Sequence, residues 1–157
     1  MVKVLFLCLG NICRSPMAHG LFETMLKKEG LEDSVTVGSA GTGNWHQGEN
    51  SDPQTLSTLR NRGIIFSHAA RQIQGQDLLE YDYILAMDSS NYYDVNRMKV
   101  LVPDSKAEII MLRDFDPKGK GDVPDPYYDR VDGFEKVYQI IERSLENFLD
   151  YLKQNKL

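Results

Sequence analysis

Val2-Lys3-Val4-Leu5-Phe6-Leu7-Cys8-Leu9-Gly10-Asn11-Ile12-Cys13-Arg14-Ser15-Pro16 reads as a buried strand, a tight loop and the start of a helix in close succession. A loop that leaves a buried strand and feeds a helix aims consecutive backbone N–H groups at one point. The helix N-terminus adds partial positive charge there, so the geometry makes an anion site. Cys8 stands at its base, where the field that holds an anion also favours thiolate over thiol and activates the sulfur as a nucleophile. Arg14 closes the ring, because a guanidinium grips two oxygens of a phosphoryl group at once. Gly10 lets the backbone approach the oxyanions, Asn11 tolerates a left-handed conformation, and Ser15 can donate a hydrogen bond to the thiolate. Alone, Cys8 would read as a buried, inert strand-end cysteine. The spaced Arg14, the adjoining Ser15 and the Gly-Asn turn reverse that reading.

Outward from this loop, four β-like segments alternate with helical ones: Val2 to Leu7, Val35 to Ser39, Tyr83 to Met87 and Ile109 to Leu112. Asp52 is an expected N-cap with Pro53 at the first helical position, Leu56 and Leu59 on the inner face and Gly63 at the stop. Asp88 can cap the segment that contains Tyr92, Val95 and Met98. Asp132 and Glu135 have capping-box spacing ahead of Phe134, Val137, Tyr138, Ile141, Leu145, Phe148, Leu149 and Leu152, which recur at helical intervals. Strands separated by helices imply βαβ units, hence an α/β fold: a four-stranded parallel sheet between helical layers, with the anion loop after the first strand. Such sheets bind ligands beyond the carboxyl ends of their strands, where Cys8 falls. From Arg113 to Arg130 the chain is rich in Asp, Pro and Gly without an apolar period, so a long surface loop of functional interest is expected.

At 157 residues, 41% of them hydrophobic, the chain suits one domain over residues 1–157 with a sizeable core. Val4 to Leu9 is too short to span a bilayer and no basic n-region precedes it, so no membrane partner and a cytoplasmic location are expected. Two cysteines within one loop cannot staple a fold, and a thiol that must stay reduced fits a reducing compartment. The net charge of −5 argues against nucleic acid, which wants a basic face, but not against a phosphorylated substrate that needs positive potential only at the loop. His19, His46 and His68 are scattered without a metal-ligand spacing, so neither a metal nor another cofactor is expected.

Cys8-Leu9-Gly10-Asn11-Ile12-Cys13-Arg14-Ser15-Pro16 resembles the signature loop of the low-molecular-weight protein tyrosine phosphatases, and Asp125-Pro126-Tyr127-Tyr128 resembles their general-acid motif. The likeness runs from Val2 to the last helix through Gly38-Ser39-Ala40-Gly41, Ser67-His68, Ala70-Arg71-Gln72-Ile73 and Met87-Asp88. It implies hydrolysis of phosphotyrosine in protein substrates through a phosphocysteine on Cys8, with Arg14 and the loop amides on the phosphate and Asp125 as acid and then base. A partly desolvated setting between Pro124 and Pro126 would help Asp125 to carry its proton. Phosphate, vanadate or sulfate are the anions expected to occupy the site.

The resemblance also implies a hydrogen-bond network that holds the loop shape, made of His68, Asn11, Ser15 and Ser39, rather than a catalytic base at His68. Cys13 matches a cysteine that forms a reversible protective disulfide with the nucleophile; packing as a small apolar residue is the other reading. Trp45 matches a cleft aromatic, and Tyr127 and Tyr128 are further candidate walls for a phenyl phosphate, Tyr128 having a structural alternative. Weak self-association through the active-site face belongs to the same set of expectations. Three other activities bear comparison. Arsenate reductases of similar fold relay electrons through downstream cysteines, and none follows Cys13. Arginine phosphatases carry Thr where Ile12 stands, and a bulky aliphatic favours phosphotyrosine. A catalytically dead phosphate-binding module would lack Cys8, Arg14 or Asp125.

Overall fold

The computed structural model describes residues 1–157. Its strands are β1 (Val2–Cys8), β2 (Val35–Gly41), β3 (Tyr83–Ala86) and β4 (Glu108–Met111), and its helices are α1 (Arg14–Lys28), α2 (Pro53–Arg60), α3 (Gly75–Glu80), α4 (Ser89–Val100) and α5 (Gly133–Asn155). The strands form one parallel sheet in the order β2-β1-β3-β4, as the βαβ reading predicts. Both faces of β1 are covered, which is why its residues run apolar without alternation. Val4, Phe6 and Cys8 join the core that α1 and α5 close, whereas Leu5 and Leu7 join Leu78, Ile84 and Val95 under α3 and α4. Phe148 sits at the centre of the larger core, with Phe22, Tyr83 and Phe115 rings 5.6, 5.8 and 5.1 Å away.

The strand order places the site. The chain leaves β1 toward β2 and leaves β3 toward β4, so the connections diverge at the carboxyl ends of β1 and β3, and a crevice opens between them. The β1 exit carries Cys8 to Arg14, and the β3 exit carries Asp88.

Helix ends follow the local chemistry with one exception. Asp52 accepts from the Gln54 N–H (2.9 Å) and Asp88 from the Asn91 N–H (2.8 Å), while Gly63 stands just past α2 at φ +78°. Asp132 makes no side-chain cap bond, so the expected capping box does not form. Glu135 pairs instead with Arg62 of the α2 exit, a tertiary partner that outcompetes the local one. The inner face of α2 is also shifted from expectation: Thr55, Thr58 and Leu59 are buried, and Leu56 is only half-buried. The six-residue α3 had no expectation, being too short for an apolar period to show.

The stretch from Arg113 to Arg130 is not simply a surface loop. Leu112–Phe115 and Pro126–Tyr128 form 3₁₀ turns, and Val123 is fully buried with its N–H donating to the Met87 carbonyl (2.7 Å). Asp116 is buried too. Burial would push its carboxyl up, but hydrogen bonds from Arg143, the Lys118 N–H and Arg113 outweigh that and hold it at about 2. Charge pairing thus fastens to α5 a segment whose composition hides any periodicity. No helix is long and apolar enough to cross a membrane.

Candidate active site

Asn11 shapes the loop after β1. Its φ of +58° is the left-handed turn expected of it, and its side chain, wholly buried, is bonded at both ends. Its Oδ1 accepts from the Arg71 N–H (3.0 Å) and from His68 Nε2 (2.8 Å), and its Nδ2 donates to Ser15 Oγ (2.8 Å). Ser15 Oγ can then donate to Cys8 Sγ, 2.9 Å away, or to the Ala40 carbonyl at 3.4 Å, and the Asn11 N–H points at the same sulfur from 3.3 Å. Two donors therefore converge on Cys8, whose sulfur lies at the end of a buried strand and faces the start of α1. Gly41, at the end of β2, must be glycine here: a Cβ would stand 2.6 Å from the Leu9 carbonyl oxygen.

The network behind the loop is longer than the sequence suggests. Ser39 Oγ lies 3.3 Å from His68 Nε2 and 2.9 Å from His19 Nδ1, and His19 Nε2 is 3.5 Å from Glu23. Because Asn11 Oδ1 can only accept, His68 Nε2 carries the hydrogen. Burial, then the neighbouring His19 and Arg71, push the His68 imidazole down to about 4, so it is neutral at neutral pH. It is bonded to the loop through Asn11, and it sits behind Asn11 rather than beside the sulfur. His19, one of the three histidines without a metal-ligand spacing, lies in the network through Ser39, a tertiary contact with no trace in spacing.

Arg14 is buried, with its side chain 4% exposed. Nη1 donates to Asp88 Oδ2 (2.7 Å) and to the Val123 carbonyl (3.0 Å), and Nη2 is 3.7 Å from Asp125 Oδ2. Burial pulls the guanidinium pKa down, but Cys8, Asp88 and Asp125 together carry it above its ordinary value, so the cation is secure. Asp88 thus has two tasks, capping α4 with one oxygen and fixing Arg14 with the other, and only the first was legible. Asp125 accepts from the Tyr127 N–H (3.0 Å) and keeps a part-exposed carboxyl at the mouth of the cleft. Cys13 is a buried thiol. Burial, helped by Asp52, Cys8 and Asp125, pushes it up to about 12.

Cys8, Leu9, Gly10, Ile12, Cys13 and Arg14 floor a cleft of about 140 Å³, walled by Trp45, His46, Asp125, Tyr127 and Tyr128. That volume suits a phosphorylated ring rather than a drug-sized ligand. Trp45 and Tyr128 are exposed rims, Tyr128 at 85% exposure having no core role. Trp45 lies flat on Gly43, where a Cβ would come within 1.9 Å of its ring. His46 was not expected in the cleft; its Nδ1 is 3.1 Å from Glu49 and its ring covers Gly10. The adjacent Trp45 was the one available signal. No group of three or more His, Cys, Asp or Glu side chains is arranged to hold a metal ion. A larger groove, about 370 Å³, runs beside the outer edge of β2 between Glu23, Lys27, Glu32 and Phe66, and no cysteine or histidine lines it.

This arrangement has known counterparts. The family model for low molecular weight phosphotyrosine protein phosphatase matches residues 3–157. A low molecular weight phosphotyrosine protein phosphatase of Schizosaccharomyces pombe is 44% identical over 151 residues, which are 94% of this chain and 95% of that protein. The crystal structure of a protein tyrosine phosphatase from Entamoeba histolytica with Hepes in its active site superposes at a TM-score of 0.90, with 34% identity over the whole of both chains. That of a Drosophila arginine phosphatase superposes at 0.93, also with 34% identity, over 99% of this chain and 100% of that one. With a matching model over nearly its whole length and a cysteine, an arginine and an aspartate gathered at one switch point, the chain belongs to the low molecular weight phosphotyrosine protein phosphatase family.

Proposed function

We propose that the protein hydrolyses phosphotyrosine in protein substrates by two displacements through Cys8, with all of residues 1–157 serving as one catalytic domain. The observation that carries this is the convergence of Cys8, Arg14 and Asp125 on one cleft whose rim is aromatic. In the first displacement Cys8 Sγ forms a bond to phosphorus as the bond to the tyrosyl oxygen breaks, and Asp125 gives that oxygen its proton. In the second, the Asp125 carboxylate takes a proton from water, whose oxygen bonds to phosphorus. The phosphorus–sulfur bond breaks, returning the thiolate and releasing inorganic phosphate. Arg14, already held by Asp88, and the amides of Leu9 to Ser15 meet the equatorial oxygens, the charge stabilisation that metal ions give other phosphoryl transfers.

Chain geometry supports the substrate class. Trp45 and Tyr127 line the cleft above the buried sulfur, and a phenyl phosphate is long enough to reach it where a short phosphoserine is not. A second reading, phosphoarginine, has the likeness to the Drosophila arginine phosphatase in its favour; the aliphatic Ile12 on the cleft floor favours the ring. Two free thiols fit the reducing cytoplasm, our proposed location. The test is hydrolysis of a phosphotyrosine peptide, a phosphoserine peptide and phosphoarginine, without added metal, by wild type and Cys8→Ser. We expect phosphotyrosine to be preferred and Cys8→Ser to be inactive. Equal rates for the two proteins would end the covalent reading, and a preference for phosphoarginine would reassign the substrate.

A further inference from the structure

Asp125 and Cys8 reach the cleft from opposite ends of the chain, and a proton donor works only if its loop is held at a fixed distance from the nucleophile's loop. Upstream of Asp125 the segment is secured by Val123, whose N–H donates to Met87 and whose carbonyl accepts from Arg14. Downstream, Pro126 is buried, but every residue from Tyr127 to Asp132 is exposed, so apolar burial does not hold the rest of the segment.

Arg130 does. Its Nη2 donates to Asp52 Oδ2 (3.0 Å), and its Nη1 to Asp52 Oδ1 (3.3 Å) and Gln54 Oε1 (2.6 Å). Gln54 Nε2 returns a bond to the Arg130 carbonyl (2.7 Å), so both side chain and backbone are gripped. The guanidinium also lies over the Tyr127 ring, 4.8 Å from its centroid, and so presses on the residue whose N–H fixes the Asp125 carboxylate. The partner side is rigid. Asp52 is 6% exposed and caps α2, its N–H donates to the Ile12 carbonyl (2.8 Å), and Thr55 Oγ1 donates to the Cys13 carbonyl (3.1 Å). A continuous path of hydrogen bonds and one stacked ring thus joins the acid's segment to the loop that carries the nucleophile, through Tyr127 on the cleft wall and Ile12 and Cys13 on its floor.

We propose that Arg130 is a positioning residue, which latches the Asp125–Tyr128 segment to the amino end of α2 and so sets the reach of the proton donor. This rests on the role assigned to Asp125 above. Only an arginine's planar fork can meet Asp52 and Gln54 together while lying over a ring, so lysine substitutes in part.

The test compares kcat/KM for phenyl phosphate, whose leaving group needs a proton, with that for para-nitrophenyl phosphate, whose leaving group needs it far less. Asp125→Ala is the reference, followed by Arg130→Ala, Arg130→Lys, Asp52→Asn and the Asp52→Asn/Arg130→Ala double variant. Asparagine caps a helix as well as aspartate does, so Asp52→Asn removes the ion pair and spares α2. We expect Arg130→Ala to lose roughly 10-fold or more on phenyl phosphate, within the ~10²–10⁴-fold that general acid catalysis supplies, and less than about threefold on para-nitrophenyl phosphate. Asp52→Asn should show the same bias, Arg130→Lys a smaller one, and the double variant no more than the worse single. Equal losses on the two substrates, or single losses that multiply, would overturn the latch while leaving Asp125 as the acid. Absence of bias in Asp125→Ala would overturn the acid assignment and the latch with it. Should Arg130→Ala fail to fold, Arg130→Lys and Asp52→Asn carry the same test.

Discussion

Replacing Asp88 by asparagine removes the carboxylate oxygen that steadies Arg14 while keeping an oxygen for the helix cap. The single amide oxygen can still accept from the Asn91 N–H and cap α4, but the amide nitrogen, which only donates, then takes the place of the oxygen that accepted from Arg14. What disappears is one negative charge, and the hydrogen bond it accepted, 2.7 Å from a guanidinium that is 4% exposed. Removing a partner from a buried pair costs about 3–5 kcal/mol, because a buried charge is left without its counterion. Here the loss is smaller, since the Val123 carbonyl still accepts from Nη1 and Asp125 lies 3.7 Å from Nη2. We expect about 2 kcal/mol for Asp88→Asn, and about 1 kcal/mol more for Asp88→Ala, which forfeits the cap as well. For a chain of this size 2 kcal/mol corresponds to a fall in Tm of roughly 4–8 °C. The assay is thermal and urea denaturation with and without inorganic phosphate. A dianion in the cleft supplies Arg14 with the missing counter-charge, so phosphate should stabilise Asp88→Asn more than wild type. A Tm within about 1 °C of wild type would show that Arg14 is balanced by other groups, and an equal gain from phosphate in both proteins would show that the anion does not meet Arg14.

His68 ties stability to pH. Its folded value of about 4 lies below its ordinary 6.5, so the unfolded chain binds more protons in that window. Stability contributed by the neutral ring is therefore complete above pH 6.5 and falls as pH drops toward 4, by roughly 1–2 kcal/mol after solvent screening. Urea midpoints at pH 5 and 7 should differ less in His68→Gln than in wild type; an unchanged difference would mean that the ring titrates alike in both states. Asn11→Ala should cost about 3–4 kcal/mol, combining left-handed strain at φ +58° with three lost buried hydrogen bonds, whereas Asn11→Gly spares the strain and costs about 1 kcal/mol less. Chemical denaturation distinguishes them, and equal losses would show that the backbone there is unstrained.

Local chemistry explains what could be read without coordinates. An apolar run ending in Cys8-Leu9-Gly10-Asn11 is a strand and a turn whatever else the chain does, and Asn11 at φ +58° sits where a residue with a small polar side chain is favoured. Asp52 before Pro53 and Asp88 before its helix cap as expected, because a cap bond spans only two or three residues. Glu135 shows the limit. Its local partner, the N-cap backbone of Asp132, lost to Arg62, which stands 73 residues earlier in the chain. Asp116 and Val123 were likewise hidden in a stretch without period, because pairing with Arg143 and donation to Met87 leave no local pattern.

Residue order alone was enough to specify the parallel α/β sheet and the anion-holding loop after β1 with Cys8 and Arg14, since these follow from short-range sterics, capping and charge, while Asp125 was marked by the likeness of Asp125-Pro126-Tyr127-Tyr128 to a family motif. Packing in three dimensions alone supplied Asp88 as the counterion of Arg14, His19 behind His68, His46 in the cleft wall and Arg130 over Tyr127. These contacts join residues distant in the chain, and their energies come from burial and from oriented hydrogen bonds that exist only once the sheet has brought the ends of β1 and β3 together.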